Sequence, residues 1–93
     1  MDINKKIFDL VTKMGEGMYN GLQIIESNLG HRLYHKDGYC VEVYRSTIYH
    51  SELSDAFKLM GKYTYKYVVY QEWEGFNKVT EEKLLEILES YQK

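Results

Sequence analysis

The clearest pattern in the chain is an alternation of apolar and polar residues over positions 63–73. Read as a strand, this segment places one set of alternate residues on a single face: Tyr63, Tyr65, Tyr67, Val69 and Trp73. The opposite face mixes charged, polar and apolar side chains: Thr64, Lys66, Val68, Tyr70 and Glu72. The mixture predicts an internal or near-internal strand of an antiparallel sheet, with a second face that is only partly covered.

Apolar residues at helical spacing occur at the start of the chain. Asp2 is a favourable N-terminal cap, and Gly15 and Gly17 are residues at which helices end. Between them, apolar residues form one stripe at helical spacing: Ile3, Ile7, Leu10, Val11 and Met14. The pattern predicts a helix over residues 3–14.

Two further helices are predicted nearer the C-terminus. One is capped by Ser51 or Ser54 and ended by Gly61, and its apolar stripe consists of Leu53, Ala56, Phe57 and Met60. The other is capped by Thr80, and glutamates in its first turn favour the helix dipole. Its apolar face consists of Leu84, Leu85, Ile87, Leu88 and Tyr91.

The dipeptide Asp37-Gly38 separates two strand-like runs, 31–36 and 39–45, and this arrangement is typical of a β-hairpin. With a two-residue loop, the numbers of opposed residues sum to 75. The expected core side then contains Tyr34, Val41 and Val43, and also Arg32, which opposes Val43. The expected opposite side contains His31, Leu33, His35, Cys40, Glu42 and Tyr44. A three-residue loop with a bulge is the alternative, and it would change this register.

A turn over 19–21 and a strand over 22–27 are predicted before the hairpin, with a helix over 19–29 as the alternative. The elements therefore have the order α-β-β-β-α-β-α. The simplest packing for this order is an antiparallel β-sheet of about four strands with the helices on one face. We predict a single α+β domain that contains residues 1–93.

Charge and cysteine content narrow the classes of function. The formal net charge of −2 argues against a general nucleic-acid binder, because such proteins need clustered lysine and arginine. The single cysteine, Cys40, suits a reducing compartment. Neither a signal peptide nor an apolar stretch long enough to cross a membrane is recognisable. We therefore expect a cytoplasmic protein that makes no membrane contact.

Several residues of the types that bind metal ions lie on the predicted hairpin. With the two-residue loop, His35 opposes Cys40, and His31 and Glu42 lie on the same face. Their spacing matches no known structural zinc pattern. Neither a glycine-rich elbow nor a helix N-terminus precedes Cys40 to supply an oxyanion hole. We expect no metal, no cofactor and no enzymatic activity.

Tyrosine is the most unusual part of the composition, with ten copies among 93 residues. Tyrosine and tryptophan are frequent at protein interfaces, because they bury a large area at a low entropic cost. We predict that the sheet face turned away from the helices binds a partner. The predicted partner-binding residues are Glu42, Tyr44, Lys66, Tyr70, Glu72 and Glu74.

Small, acidic, cofactor-free chains of this kind are often inhibitors or adaptors from phages and mobile elements, such as anti-defence, anti-CRISPR-like or immunity proteins. The expected partner is another protein, or a second copy of the chain in a homodimer. The alternative is a nucleic-acid-binding accessory protein that uses surface tyrosines and lysines.

Overall fold

The computed structural model describes residues 2–27, 30–48 and 64–92. Their helices and strands follow in the order α1 (Ile3–Met14), β1 (Gly17–Tyr19), β2 (Leu22–Glu26), β3 (Gly30–His35), β4 (Tyr39–Ile48), β5 (Thr64–Tyr70) and α2 (Glu81–Ser90). The helix predicted between Ser51 and Gly61 lies outside the described residues. Within the described ranges, no helix is long and apolar enough to span a membrane.

The five strands form one antiparallel sheet, in which each strand pairs with the next one along the chain. This confirms the predicted α+β class and adds one strand to the expected number. The additional strand is β1, whose last residue, Tyr19, was predicted to lie in a turn. Tyr19 instead pairs with Leu22, and the turn consists of Asn20 and Gly21. Gly21 has a φ of 85°, which glycine adopts without a steric cost.

The first helix has the bounds that its apolar stripe predicts. The Asp2 carboxylate accepts hydrogen bonds from the backbone N–H groups of Asn4 and Lys5, at 3.0 and 3.4 Å. At the other end, Gly15 has a φ of 77° and donates its N–H to the carbonyl of Val11. Both ends thus satisfy backbone groups that a helix terminus leaves without partners.

The second described helix also begins as predicted. Thr80 Oγ1 accepts a hydrogen bond from the Lys83 N–H at 3.1 Å, and two glutamates occupy the first turn. Val79, which precedes the cap, and Leu84 are both buried in the core. These are the two positions of a hydrophobic staple, which fixes the direction from which the chain enters a helix.

The core lies between the two helices and one face of the sheet, which we call the core face. Alternate residues of β2, β3 and β4 point into it, and each helix contributes one stripe. The buried apolar residues of this cluster are Ile7, Val11, Leu22, Ile24, Leu33, Val41, Val43, Val79, Leu84 and Leu88. Burial of such side chains is the main favourable term in folding a domain of this size.

The β3–β4 hairpin differs by one residue from the predicted register. His35 pairs with Tyr39 and closes a three-residue loop, in which Gly38 has a φ of 90°. Leu33 therefore pairs with Val41 on the core face, and the prediction that Tyr34 occupies this position is wrong. Because side chains alternate along a strand, the shift moves every residue of β3 to the opposite face.

We call the face of the sheet turned away from the helices the outer face. Directly paired residues share a face, so the ladders assign its members. They are Met18, Gln23, Ile25, Arg32, Tyr34, Cys40, Glu42, Tyr44, Ser46, Lys66, Val68 and Tyr70. His31, Leu33 and His35 lie on the core face instead.

The prediction of an internal or near-internal strand is not met by β5, which is an edge strand within the described sheet because it pairs only with β4. It ends at Tyr70, so the prediction that Trp73 extends the Tyr67–Val69 side of the strand is wrong. Asn4 of α1 donates its side-chain amide to the backbone carbonyl of Tyr67 at 3.1 Å. Such a contact limits what an edge strand can offer to a further strand.

Candidate functional site

Four of the six predicted partner-binding residues lie together on the outer face. In the β4–β5 ladder, Glu42 pairs with Tyr70 and Tyr44 pairs with Val68. Lys66 follows on the same side of β5. Tyr70 and Lys66 are exposed, whereas Glu42 and Tyr44 are half-buried. The structure thus brings two tyrosines, a lysine and a glutamate onto one surface.

The other two predicted residues, Glu72 and Glu74, are exposed in the segment that links β5 to α2. We call residues 71–79 the crossing segment. Its two ends are joined by the Gln71 side chain, which donates to the Val79 carbonyl at 2.5 Å and accepts from the Val79 N–H at 2.8 Å. In its middle, Asn77 binds the β3–β4 loop, since its N–H donates to the Gly38 carbonyl at 2.8 Å. The segment is therefore tied to the sheet.

Two aromatic rings of the crossing segment pack on the outer face. Trp73 meets Tyr70 edge-on, with ring centroids 5.5 Å apart and planes at 86°. Phe76 packs on Tyr34 at 6.0 Å. Aromatic pairs in such tilted geometries attract beyond the area they bury. The segment thus covers one end of the outer face and adds its own rings to that surface.

Arg32 is held at the middle of this surface by two contacts. Its guanidinium lies over the Trp73 ring at 4.7 Å from the centroid, and its Nη2 donates to Glu42 Oε2 at 3.0 Å. The hydrogen bond to Glu42 is the largest cause that raises the pKa of Arg32. The side chain of Glu42 is only 12% exposed. Glu42 therefore holds Arg32 in place and is not a free charge for a partner.

Cys40 also lies on the outer face, where it pairs with Tyr34 and is buried. Burial raises the pKa of its thiol, and this effect outweighs the opposing influences of Arg32 and Tyr34. The thiol is therefore neutral near pH 7, and a neutral thiol is neither a nucleophile nor a metal ligand. The geometry gives Cys40 a role in packing.

The predicted grouping of His31, His35, Cys40 and Glu42 on one face is wrong. The register shift leaves both histidines on the core face, and Cys40 and Glu42 on the outer face. His35 stacks on Tyr39, with ring centroids 5.7 Å apart. Across the residues that the structure describes, no three or more histidine, cysteine, aspartate and glutamate side chains lie close enough to hold a metal ion.

The exposed large apolar side chains are concentrated on the outer face. In the described ranges they are Met18, Ile25, Tyr70 and Phe76, with exposures of 74%, 36%, 39% and 42%. Met18, Ile25 and Tyr70 belong to the outer face by their pairing, and Phe76 packs on it through Tyr34. An apolar surface of this kind, collected on one side of a domain, is typical of an interaction site.

Three residues of this surface were not among those predicted: Arg32, Trp73 and Phe76. Arg32 was assigned to the core side by the incorrect hairpin register. Trp73 was assigned there as well, because the alternating pattern continues past Tyr70, where the strand ends. Gly75, with a φ of 87°, is the local signal that the chain turns before Phe76.

No protein-family model matches this chain, and neither a curated protein nor a solved structure is significantly similar to it.

Proposed function

We propose that this chain is a small non-enzymatic protein that binds another protein through its outer face. It would act as an inhibitor or adaptor of the kind that phages and mobile elements produce against host defences, or as an immunity protein. The observation that carries the proposal is that Met18, Ile25, Tyr70 and Phe76 are all exposed on one face of the sheet. Exposed apolar residues scattered singly would need no explanation, but a shared face does.

The part of the outer face around Arg32 also has the composition of a binding hot spot. Hot spots are rich in tryptophan, tyrosine and arginine, and a ring of less important contacts excludes water from them. Here Arg32 is stacked on Trp73 and tied to Glu42, and Trp73 packs edge-on against Tyr70. Side chains fixed in this way lose little conformational freedom on binding, so more of the contact energy remains as affinity.

The nucleic-acid alternative has less support from the same surface. Single-stranded nucleic acid needs cations that follow its backbone, beside rings on which the bases stack. Lys66 is an exposed cation of the outer face, whereas Arg32 is already paired with Glu42. Glu72 and Glu74 then add negative charge at the Tyr70 end of the surface. Binding to nucleic acid is therefore expected to be weak and steeply dependent on salt concentration.

Affinity capture from a nuclease-treated host lysate, followed by quantitative mass spectrometry, tests the proposal. We expect a specific protein to be retained by the wild-type chain and to be lost with Tyr70→Ala, because truncation of a hot-spot aromatic weakens binding by about 30-fold or more. Tyr91→Ala is the matched control, measured at a temperature at which both variants are folded, since Tyr91 is a half-buried tyrosine at the end of α2 whose hydroxyl donates to the Asn20 carbonyl at 2.7 Å.

The proposal would be contradicted if both variants retained the protein equally. Loss of capture with Tyr91→Ala alone would move the interface to the helices. Capture that disappears after nuclease treatment, and returns with added oligonucleotide, would favour the nucleic-acid alternative.

A further inference from the structure

We infer that two copies of this chain pair through their outer faces when no other partner is bound, about a two-fold axis that is parallel to the sheet and perpendicular to its strands. The inference rests on the proposed function, because it gives the same surface a second occupant. The homodimer would keep the apolar side chains covered until the partner displaces the second copy. Two features of the outer face support this: where its unpaired charges lie, and how large it is.

Opposite charges lie at the two ends of the β5 column. Lys66 is at one end, next to Val68 and Tyr70, and Glu72 follows Tyr70 at the other end. Both Lys66 and Glu72 are exposed, and neither makes an ion pair within the described ranges. The inner charges of this face, Arg32 and Glu42, already neutralise each other at 3.0 Å. The face therefore carries a separated pair of free charges at its rim.

This charge arrangement selects one symmetric way to stack two sheets. Sheets that pack face to face in an aligned manner keep their strands within about 30° of each other. A two-fold axis along the strands, through the middle of the sheet, would place β5 of one copy over β1 of the other, so that Lys66 and Glu72 of the two copies would lie far apart. An axis perpendicular to the strands places β5 over β5 in the opposite direction, so that Lys66 of one copy lies toward Glu72 of the other. Symmetry makes this contact twice.

The size of the outer face limits the area that the dimer can bury. Strands lie about 4.8 Å apart and rise about 3.3 Å per residue, so a five-stranded sheet of this length presents roughly 500 Å² per copy. Two copies would bury about 1,000 Å² in total, which is at the lower limit for a specific interface. We therefore expect a micromolar dimer, which a better-fitting protein partner can displace.

Sedimentation velocity of the full chain, from low micromolar to several hundred micromolar concentration, tests the dimer. We expect a concentration-dependent monomer–dimer equilibrium for the wild type. Lys66→Glu and Glu72→Lys should each weaken it about tenfold, because each places like charges together at two symmetric contacts. An equimolar mixture of the two variants should restore association, since every contact then joins opposite charges again.

Lys83→Glu is the matched control, because it makes the same change of charge on α2, where Lys83 lies 3.6 Å from Glu86. It should leave the dissociation constant within about twofold of the wild type. A wild-type chain that stays monomeric throughout, or variants that dimerise as well as the wild type, would overturn the inference. So would a mixture of the two variants that fails to associate.

Partner capture and sedimentation together distinguish a failure of the homodimer from a failure of the proposed function. A chain that stays monomeric but still captures its partner through Tyr70 would overturn the homodimer only. A dimer that responds to the charge variants, without any protein captured through Tyr70, would overturn the proposed function and keep the dimer.

Discussion

At the scale of single residues, two side chains on the same face of the sheet can differ greatly in exposure. Tyr70 and Cys40 are both outer-face residues, yet the first is 39% exposed and the second only 3%. Cys40 pairs with Tyr34, and the crossing segment packs Phe76 onto that ring. The sequence predicts the side on which a tyrosine lies from its parity, but it does not predict which residues a later loop will cover.

The buried thiol of Cys40 leads to a prediction about alkaline pH. Burial raises its pKa in the folded chain above the value in the unfolded chain, so the folded state holds the proton more tightly. The stabilising contribution is complete below the unfolded pKa of about 8.5 and is lost as the pH rises toward the folded value. We expect the free energy of unfolding, from urea titrations, to fall above that pH, and to fall less steeply in Cys40→Ala.

Thiol labelling gives an independent measurement of the same residue. A disulfide reagent at pH 8 should react with native Cys40 far more slowly than with the urea-unfolded chain, because the thiol is buried and neutral. Labelling at equal rates in the two states, or identical pH profiles for wild type and Cys40→Ala, would contradict the account of this site.

At the scale of elements, the ends of the helices were predictable and the hairpin register was not. The caps are local: Asp2 binds N–H groups within three residues of itself, and Thr80 does the same. A register depends on the number of residues in the loop, and Asp37-Gly38 is compatible with two or three. The observed three-residue loop moves Tyr34 to the outer face and brings Leu33 into the core. One residue of loop length thus decided the composition of both faces.

The crossing segment depends on Gln71 in a way that can be measured. Its amide makes both hydrogen bonds to the Val79 backbone, so Gln71→Ala leaves a partly buried donor and acceptor without partners. We expect a loss of about 1–3 kcal/mol in the free energy of unfolding, measured by urea denaturation. Gln71→Glu keeps the acceptor but sets a carboxylate oxygen against the Val79 carbonyl, so at neutral pH it should cost at least as much as Gln71→Ala.

Gln23→Ala is the control for this experiment, because Gln23 is an exposed glutamine of the outer face. Its substitution should change stability by no more than about 0.5 kcal/mol. Equal effects of Gln71→Ala and Gln23→Ala would mean that the two hydrogen bonds do not hold the segment. The packing of Trp73 and Phe76 would then need another explanation.

At the scale of the whole molecule, the sheet separates two tasks between its faces. The core face holds Leu33, Val41 and Val43 against two helices, and the outer face exposes Tyr70 and Phe76. The α+β class followed from the order of the elements, since local periodicity identifies helices and strands. The edge position of β5 among the described strands did not follow, because the number of neighbours of a strand depends on pairing between distant parts of the chain.

The separation of tasks predicts opposite effects for truncations on the two faces. Leu88 of α2 is fully buried in the core, so Leu88→Ala should reduce the free energy of unfolding by about 2–5 kcal/mol. At denaturant concentrations far below its midpoint, the folded fraction of this variant should bind the captured partner as the wild type does.

Tyr44→Ala removes a half-buried ring from the outer face and should lower affinity without a comparable loss of stability. Its affinity should fall by about 30-fold or more, while its stability changes far less. Urea denaturation and titration calorimetry on the same preparations measure both quantities. A Tyr44→Ala variant that unfolds as readily as Leu88→Ala would show that Tyr44 supports the fold and not the binding of a partner, and the interface would then have to be sought on α2.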